Sequence, residues 1–321
     1  MKTFYWLLKR EFWEHRGGFL WAPVVTGSVF LVLNLMAIIT AEVLGAKHGI
    51  EIGGNDVRMM LQHADRGDMA QIGSALDMAM ISSMSLIGIV MGIVVLFYCL
   101  GALYDDRRDR SVLFWKSLPV SNTSTVLSKV TSAALVAPVI AVVASIACGL
   151  LQLVIYAVVL SFHGVNVWQL LTLAHPLQAI GSLLSNIPLY ALWAMPAIGW
   201  LMLCSSGART KPFLWAVAVP VVAGLLVTWF GIMGLFNLPP AWFWTHIVQR
   251  ALLSVFPGSS LIFNDHDVTA MADMDGNNPL GLLAPSHTYG LLASPNLWLG
   301  VVAGAGLIAA AIWFRRVRDD G

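Results

Sequence analysis

Residues 104–129 read YDDRRDRSVLFWKSLPVSNTSTVLSK, and they sit between two tracts too apolar for water. Six charges fill the six positions Asp105 to Arg110. The chain around them is 58% hydrophobic and 11% charged, with a mean hydropathy of +0.77. A soluble domain carries about a quarter of its residues charged. A charge cluster in such a chain marks a place where it leaves the membrane.

A helix needs about 20 apolar residues to cross the hydrocarbon core. Uncharged runs cut at Pro, Gly and polar breaks give six spans: Phe19 to Thr40, Met80 to Leu103, Val130 to Leu160, Leu183 to Leu203, Phe213 to Met233 and Leu297 to Phe314. No Asp, Glu, Lys or Arg lies between Lys129 and Arg209, and the polar break SFHGVNVW with AHPLQ divides that tract into spans 3 and 4. Backbone polar groups in lipid are satisfied only by helices or closed barrels. The expected fold is an all-α integral membrane protein, one domain over residues 1–321.

The basic residues orient it. Fourteen lie before span 1, between spans 2 and 3, between spans 4 and 5, and after span 6, against four on the other side (Lys47, Arg58, Arg66 and Arg250). Positive charge is retained in the cytoplasm, so both termini are expected there. The uncharged run from Gly17 to Ala41 is too long for a signal h-region and is read as a retained helix.

Residues 1–18 place Phe4, Leu8 and Phe12 on one helical face among basic residues, which suits an amphipathic helix on the inner leaflet. On the outer side, residues 41–79 suggest a polar, part-helical lid. Segment 234–296 begins with a Pro-Pro break and continues as about four turns of aromatic-rich helix, with Trp242 and Trp244 suited to the headgroup region. PGSSLIFNDHDV and DMDGNNPLG then look like outer loops.

Net charge is +1, so no strong field recruits nucleic acid. Cys99, Cys148 and Cys204 fall in or at the end of apolar runs and act as small apolar fillers. Gly88 with Gly92, and Gly300 with Gly304, are spaced for close helix approach. Asn34, Gln152 and Asn186 are polar groups at membrane depth, candidates for lining a path.

In the quoted stretch, Asp105 with Arg108 and Asp106 with Arg110 fall at helical spacing, SVLFWKSL offers an apolar face, Pro119 stops it, and Ser121 or Asn122 caps the next helix. These residues resemble the permease subunits of ABC-2 type transporters. That family carries, after its second span, a charge cluster, a small residue, hydrophobics, S-x-P-V-S and a Lys about eight residues on; here the match is DRSVLFWKSLPVS and Lys129, with Ser111 where Gly is usual. The resemblance implies a cytoplasmic coupling helix within 104–129 that seats in a groove of an ATPase. Asp106, Arg107, Arg110, Ser111, Leu113, Phe114, Trp115, Leu118, Pro119, Ser121 and Lys129 are its expected coupling residues.

The resemblance further implies an exporter, a homodimer with two cytoplasmic ABC ATPase subunits in the bacterial inner membrane; the apolar spans with few fixed charges suit a hydrophobic or amphipathic substrate, a lipid, peptide or antibiotic. No cofactor is expected in this chain, which has no Gly-x-x-x-x-Gly-Lys-Ser/Thr loop; ATP and Mg would be held by the partner. The alternative is a polytopic hydrolase or transferase that uses Asp265, His266 and Asp267, although their spacing matches no strong ligand pattern.

Overall fold

The computed structural model describes residues 2–47, 66–109, 121–162, 173–234, 239–263 and 279–318, and every regular element among them is helical. Six helical stretches are long and apolar enough to cross a membrane: Gly17–Leu44, Ala70–Arg108, Asn122–Val159, Pro176–Gly207, Pro212–Ile232 and Pro295–Val317. The chain is a multi-pass membrane protein, and each stretch matches one of the six expected spans, the third and fifth ending one residue before the expected Leu160 and Met233.

The elements, in order, begin with α1 (Lys2–Glu14), then a π-helical turn (Gly17–Trp21) leading into α2 (Ala22–Lys47). Next come α3 (Arg66–Ala102) and the short α4 (Tyr104–Arg108), then α5 (Asn122–Thr131) and α6 (Ala137–Phe162), joined by a π-helical segment. α7 (Pro176–Gly207) and α8 (Pro212–Ile232) follow. The segment after α8 holds α9 (Pro240–Phe243), α10 (Arg250–Leu253), α11 (Ser259–Phe263) and α12 (Pro285–Thr288), and α13 (Pro295–Arg318) follows.

α3 begins well before the expected Met80 because a few polar residues do not stop a helix whose side chains find partners. Asp77, inside that extension and buried, accepts from the backbone N–H of His175 at 3.0 Å and lies 2.9 Å from its ring Nδ1. His175 thus anchors the entry to α7.

The main core lies between α3, α6 and α7, with Ile87, Met91, Val95, Ala133, Ala137, Ala194, Ala197 and Ile198 buried together. α13 packs along α7 at glycines. A Cβ on Gly304 would meet the Met195 carbonyl at 2.5 Å, and one on Gly199 would meet the Gly304 carbonyl at 2.6 Å. Lipid supplies no hydrophobic drive between helices, so close backbone approach of this kind gives the contact its dispersion energy. The outward faces of α2 and α8 carry exposed Val29, Val32, Met36, Val222 and Leu225, as lipid-facing helices do.

The segment between α8 and α13 differs from the expectation of surface loops. Helical structure runs from Pro240 to Leu253 through a π-helical middle, about four turns as expected, but the chain then turns inward. Ser254 and Val255 are fully buried, and Tyr190 donates to the Val255 carbonyl at 2.7 Å. Trp193 donates to Ser259 Oγ at 3.1 Å. The Phe256 ring and Pro257 pack on Gly92 and Gly88, near the midpoint of the Ala70–Arg108 stretch. Gly258 turns the chain with φ +82°, which favours glycine. Irregular backbone is tolerated at that depth because protein, not lipid, surrounds it. Gly88 and Gly92 therefore admit a re-entrant turn of the same chain.

Candidate functional site

α1 presents Leu7 and Glu11 to the bundle, while Tyr5, Trp6 and Trp13 stay exposed around it. The buried face is thus rotated from the expected Phe4, Leu8 and Phe12 stripe, and it carries a carboxylate. Glu11 is 1% exposed, and three groups meet it. Tyr98, in the last turns of α3, donates its hydroxyl to Oε2 at 2.9 Å. Lys129 on α5 brings Nζ within 3.2 Å of Oε1. His15 lies 3.9 Å away, its ring edge-on to Tyr98.

Lys129 also reaches Asp106 Oδ1 at 3.5 Å, and Arg315, in the last turn of α13, holds Asp106 Oδ2 at 3.2 Å. Lys129 is 2% exposed and Arg315 4%. Two carboxylates and two cations alternate in a chain of ion pairs, with formal charges that cancel. Burial of charge is tolerated only with such pairing, and removing one partner leaves a cost of about 3–5 kcal/mol. The chain joins four elements: α1, α4, α5 and α13.

A second knot lies beside it. The helix breaks at Leu103, freeing backbone N–H groups, and Ser205 of α7 takes them: its Oγ accepts from Leu103 at 3.0 Å and Tyr104 at 2.9 Å, and donates to the Leu100 carbonyl at 2.7 Å. Arg107 donates to the carbonyls of Ser205 at 2.6 Å and Ala208 at 3.0 Å. The chain leaving α3 is thereby fixed to the end of α7. Where it returns, Ser121 caps α5 by accepting from the Ser124 N–H at 3.1 Å, one of the two caps expected.

The structure therefore gives the expected coupling residues different places. Asp106 and Lys129 are interior and ion-paired, Arg107 is bonded to α7, and Ser121 is an exposed cap. Asp106 and Lys129 can position an elbow but do not offer a surface that a partner would touch. Arg110, Ser111, Leu113, Phe114, Trp115, Leu118 and Pro119 lie outside the described residues, as do Asp265, His266 and Asp267.

The three polar residues at membrane depth are not gathered into one path. Asn186 lines an apolar cavity of about 140 Å³ beneath the re-entrant turn, with Met84, Ser145, Tyr190 and Phe256, and donates to the carbonyls of Ser182 and Leu283. Gln152 is buried elsewhere and donates to the Tyr156 hydroxyl at 3.0 Å. Asn34 is half-buried on α2. Among the described residues no three of His, Cys, Asp and Glu come together as a metal site.

Sequence reasoning missed Glu11, Tyr98, Ser205 and Arg315. Glu11 and Lys129 are 118 positions apart, and nothing in a single sequence pairs them. The available signal was Glu11 itself, an acidic group on the helix face that also carries Leu7.

Comparison with protein-family models, with curated proteins and with solved structures finds no match.

Proposed function

We propose that this chain is the membrane-spanning subunit of an ABC-2 type transporter that exports a hydrophobic or amphipathic substrate. It works as a homodimer with two cytoplasmic ATPase subunits in a bacterial inner membrane, and both termini are cytoplasmic. The observation that carries this reading is the buried Glu11–Lys129–Asp106–Arg315 chain of ion pairs. A solvated stop signal at a helix end needs no interior carboxylates. An element that receives force does need both its ends held.

Residues 104–129 leave α3 at the Asp106 and Arg107 anchors and return at Lys129. The elbow motif, with its resemblance to the coupling region of ABC-2 permeases, lies between those anchors. When ATP binding closes the partner subunits, the elbow is displaced. Separating Glu11 from Lys129, or Asp106 from Arg315, strands a buried charge at a cost of about 3–5 kcal/mol, so α1 follows α5 and the end of α13 follows α4, with the Lys129–Asp106 contact linking the two halves. The tilt of these helices then alternates access to a path for cargo. This chain supplies the path, and the hydrolytic chemistry belongs to the ATPase.

The test is ATP turnover by the reconstituted complex in liposomes, with and without amphipathic cargo. Cargo-stimulated turnover that is lost in Trp115→Ala supports the reading. Turnover indifferent to every cargo identifies a docking scaffold instead.

A further inference from the structure

At the far end of α13 from Arg315, a third buried cation has no such partners among the described residues. Arg250 is 7% exposed, and its guanidinium stacks on the Trp193 ring with 4.0 Å to the centroid. Nη1 donates to the Asn296 carbonyl at 2.6 Å, but Nε and Nη2 are buried with no hydrogen-bond partner among the described residues. Burial pulls its pKa down to about 10, which leaves the group cationic at neutral pH. A buried cation with two unused donors is costly, and an oxyanion is the group that would satisfy both charge and donors.

The space for one is present. Arg250 lines a cavity of about 410 Å³ bounded by Trp200, Trp242, His246, Asn296 and Gly300. Gly300 makes room for the guanidinium at the edge of this cavity, since a Cβ there would lie 2.5 Å from Nη2. Asn296 and Gly300 belong to the first turns of the last membrane-crossing stretch, Pro295–Val317, which is headgroup level. From this polar end the wall continues along α13 through Leu299, Ala303 and Leu307. Leu299 is 67% exposed and Trp242 46%, so the cavity opens sideways onto the lipid-facing surface. Charge at headgroup depth and an apolar wall running into the bilayer match one ligand chemistry.

We propose that this cavity binds the phosphate of an anionic membrane lipid, held by Arg250, with an acyl chain along Leu299, Ala303 and Leu307. The assignment stands apart from the transport reading, because it uses neither the elbow nor an ATPase.

The test uses the full chain, purified in maltoside detergent and delipidated. Tryptophan fluorescence follows titration with a short-chain phosphatidylglycerol, with inorganic phosphate, and with an uncharged diacylglycerol. The expected result is saturable binding of the phosphatidylglycerol, weakened at least tenfold in Arg250→Gln. Gly300→Ala keeps the cation but crowds its Nη2, and it should also weaken binding about tenfold, which keeps the test decisive if Arg250→Gln fails to fold. Inorganic phosphate and diacylglycerol should each bind at least tenfold more weakly than the phosphatidylglycerol. Binding unchanged in a folded Arg250→Gln or in Gly300→Ala overturns the site. Inorganic phosphate binding as tightly as the lipid overturns the lipid assignment, because the apolar wall would then contribute nothing.

Discussion

Lys129 Nζ sits 3.2 Å from Glu11 Oε1, and the two side chains are 2% and 1% exposed. Lys129 also shares Asp106 with Arg315, so one ammonium joins the first helix of the chain to the last. The segment between spans 2 and 3 is thereby held by interior electrostatics at both of its ends. The position that the ABC-2 resemblance marks with a Lys is, in this fold, the pivot of that arrangement.

Replacement of the pivot should be costly in a specific way. Lys129→Met leaves two buried carboxylates, one with its cation gone, and should destabilise the protein by about 3–5 kcal/mol. Glu11→Gln combined with Lys129→Met should lose less than the two single changes added together, because each removes the other's stranded charge. Denaturant unfolding in detergent micelles reads this coupling. Strict additivity would show that the pair does not form.

Ser205 makes a second, independent prediction. Ser205→Ala leaves the Leu103 and Tyr104 N–H groups without their acceptor, at a cost of about 1–3 kcal/mol for the buried groups. The loss should be local. Hydrogen exchange should accelerate at residues 100–108 and stay unchanged in α13; equal acceleration in both would point to global loosening instead.

The re-entrant turn can be probed through Gly92. A Cβ there would stand 2.5 Å from the Phe256 ring, so Gly92→Ala should cost about 1–3 kcal/mol by overpacking. In a Phe256→Leu background the same change should cost clearly less, as measured by unfolding. Equal cost in both backgrounds would place Phe256 away from span 2.

Span number was legible because crossing a bilayer demands runs of about 20 apolar residues, a constraint that each stretch of sequence meets on its own. Ser121 as a cap was legible for the same reason, since the cap and its acceptor geometry span only three residues. Glu11, Lys129, Asp106 and Arg315 were visible as residues but not as a set. Three of them were absorbed by other readings: Asp106 and Lys129 by the elbow, and Arg315 by the positive-inside count. Only tertiary packing shows that they neutralise one another. The Phe256–Pro257–Gly258 turn looked like a loop because Pro and Gly mark turns at the surface and inside a protein alike. Gly88 and Gly92 announced a close approach, and what approaches them lies more than 160 residues downstream.

The central claim is that this chain takes its motion from an ATPase docked on residues 104–129. The most direct measurement is affinity purification of the gently solubilised protein from native membranes, with ATPase activity and stoichiometry of the co-purified material determined, repeated with Trp115→Ala and with Asp265→Asn. The account predicts one soluble ATPase per chain, released by Trp115→Ala and retained by Asp265→Asn. Absence of any ATPase, or its full retention in Trp115→Ala, would contradict it and turn attention to Asp265, His266 and Asp267 as the chemistry of a membrane enzyme.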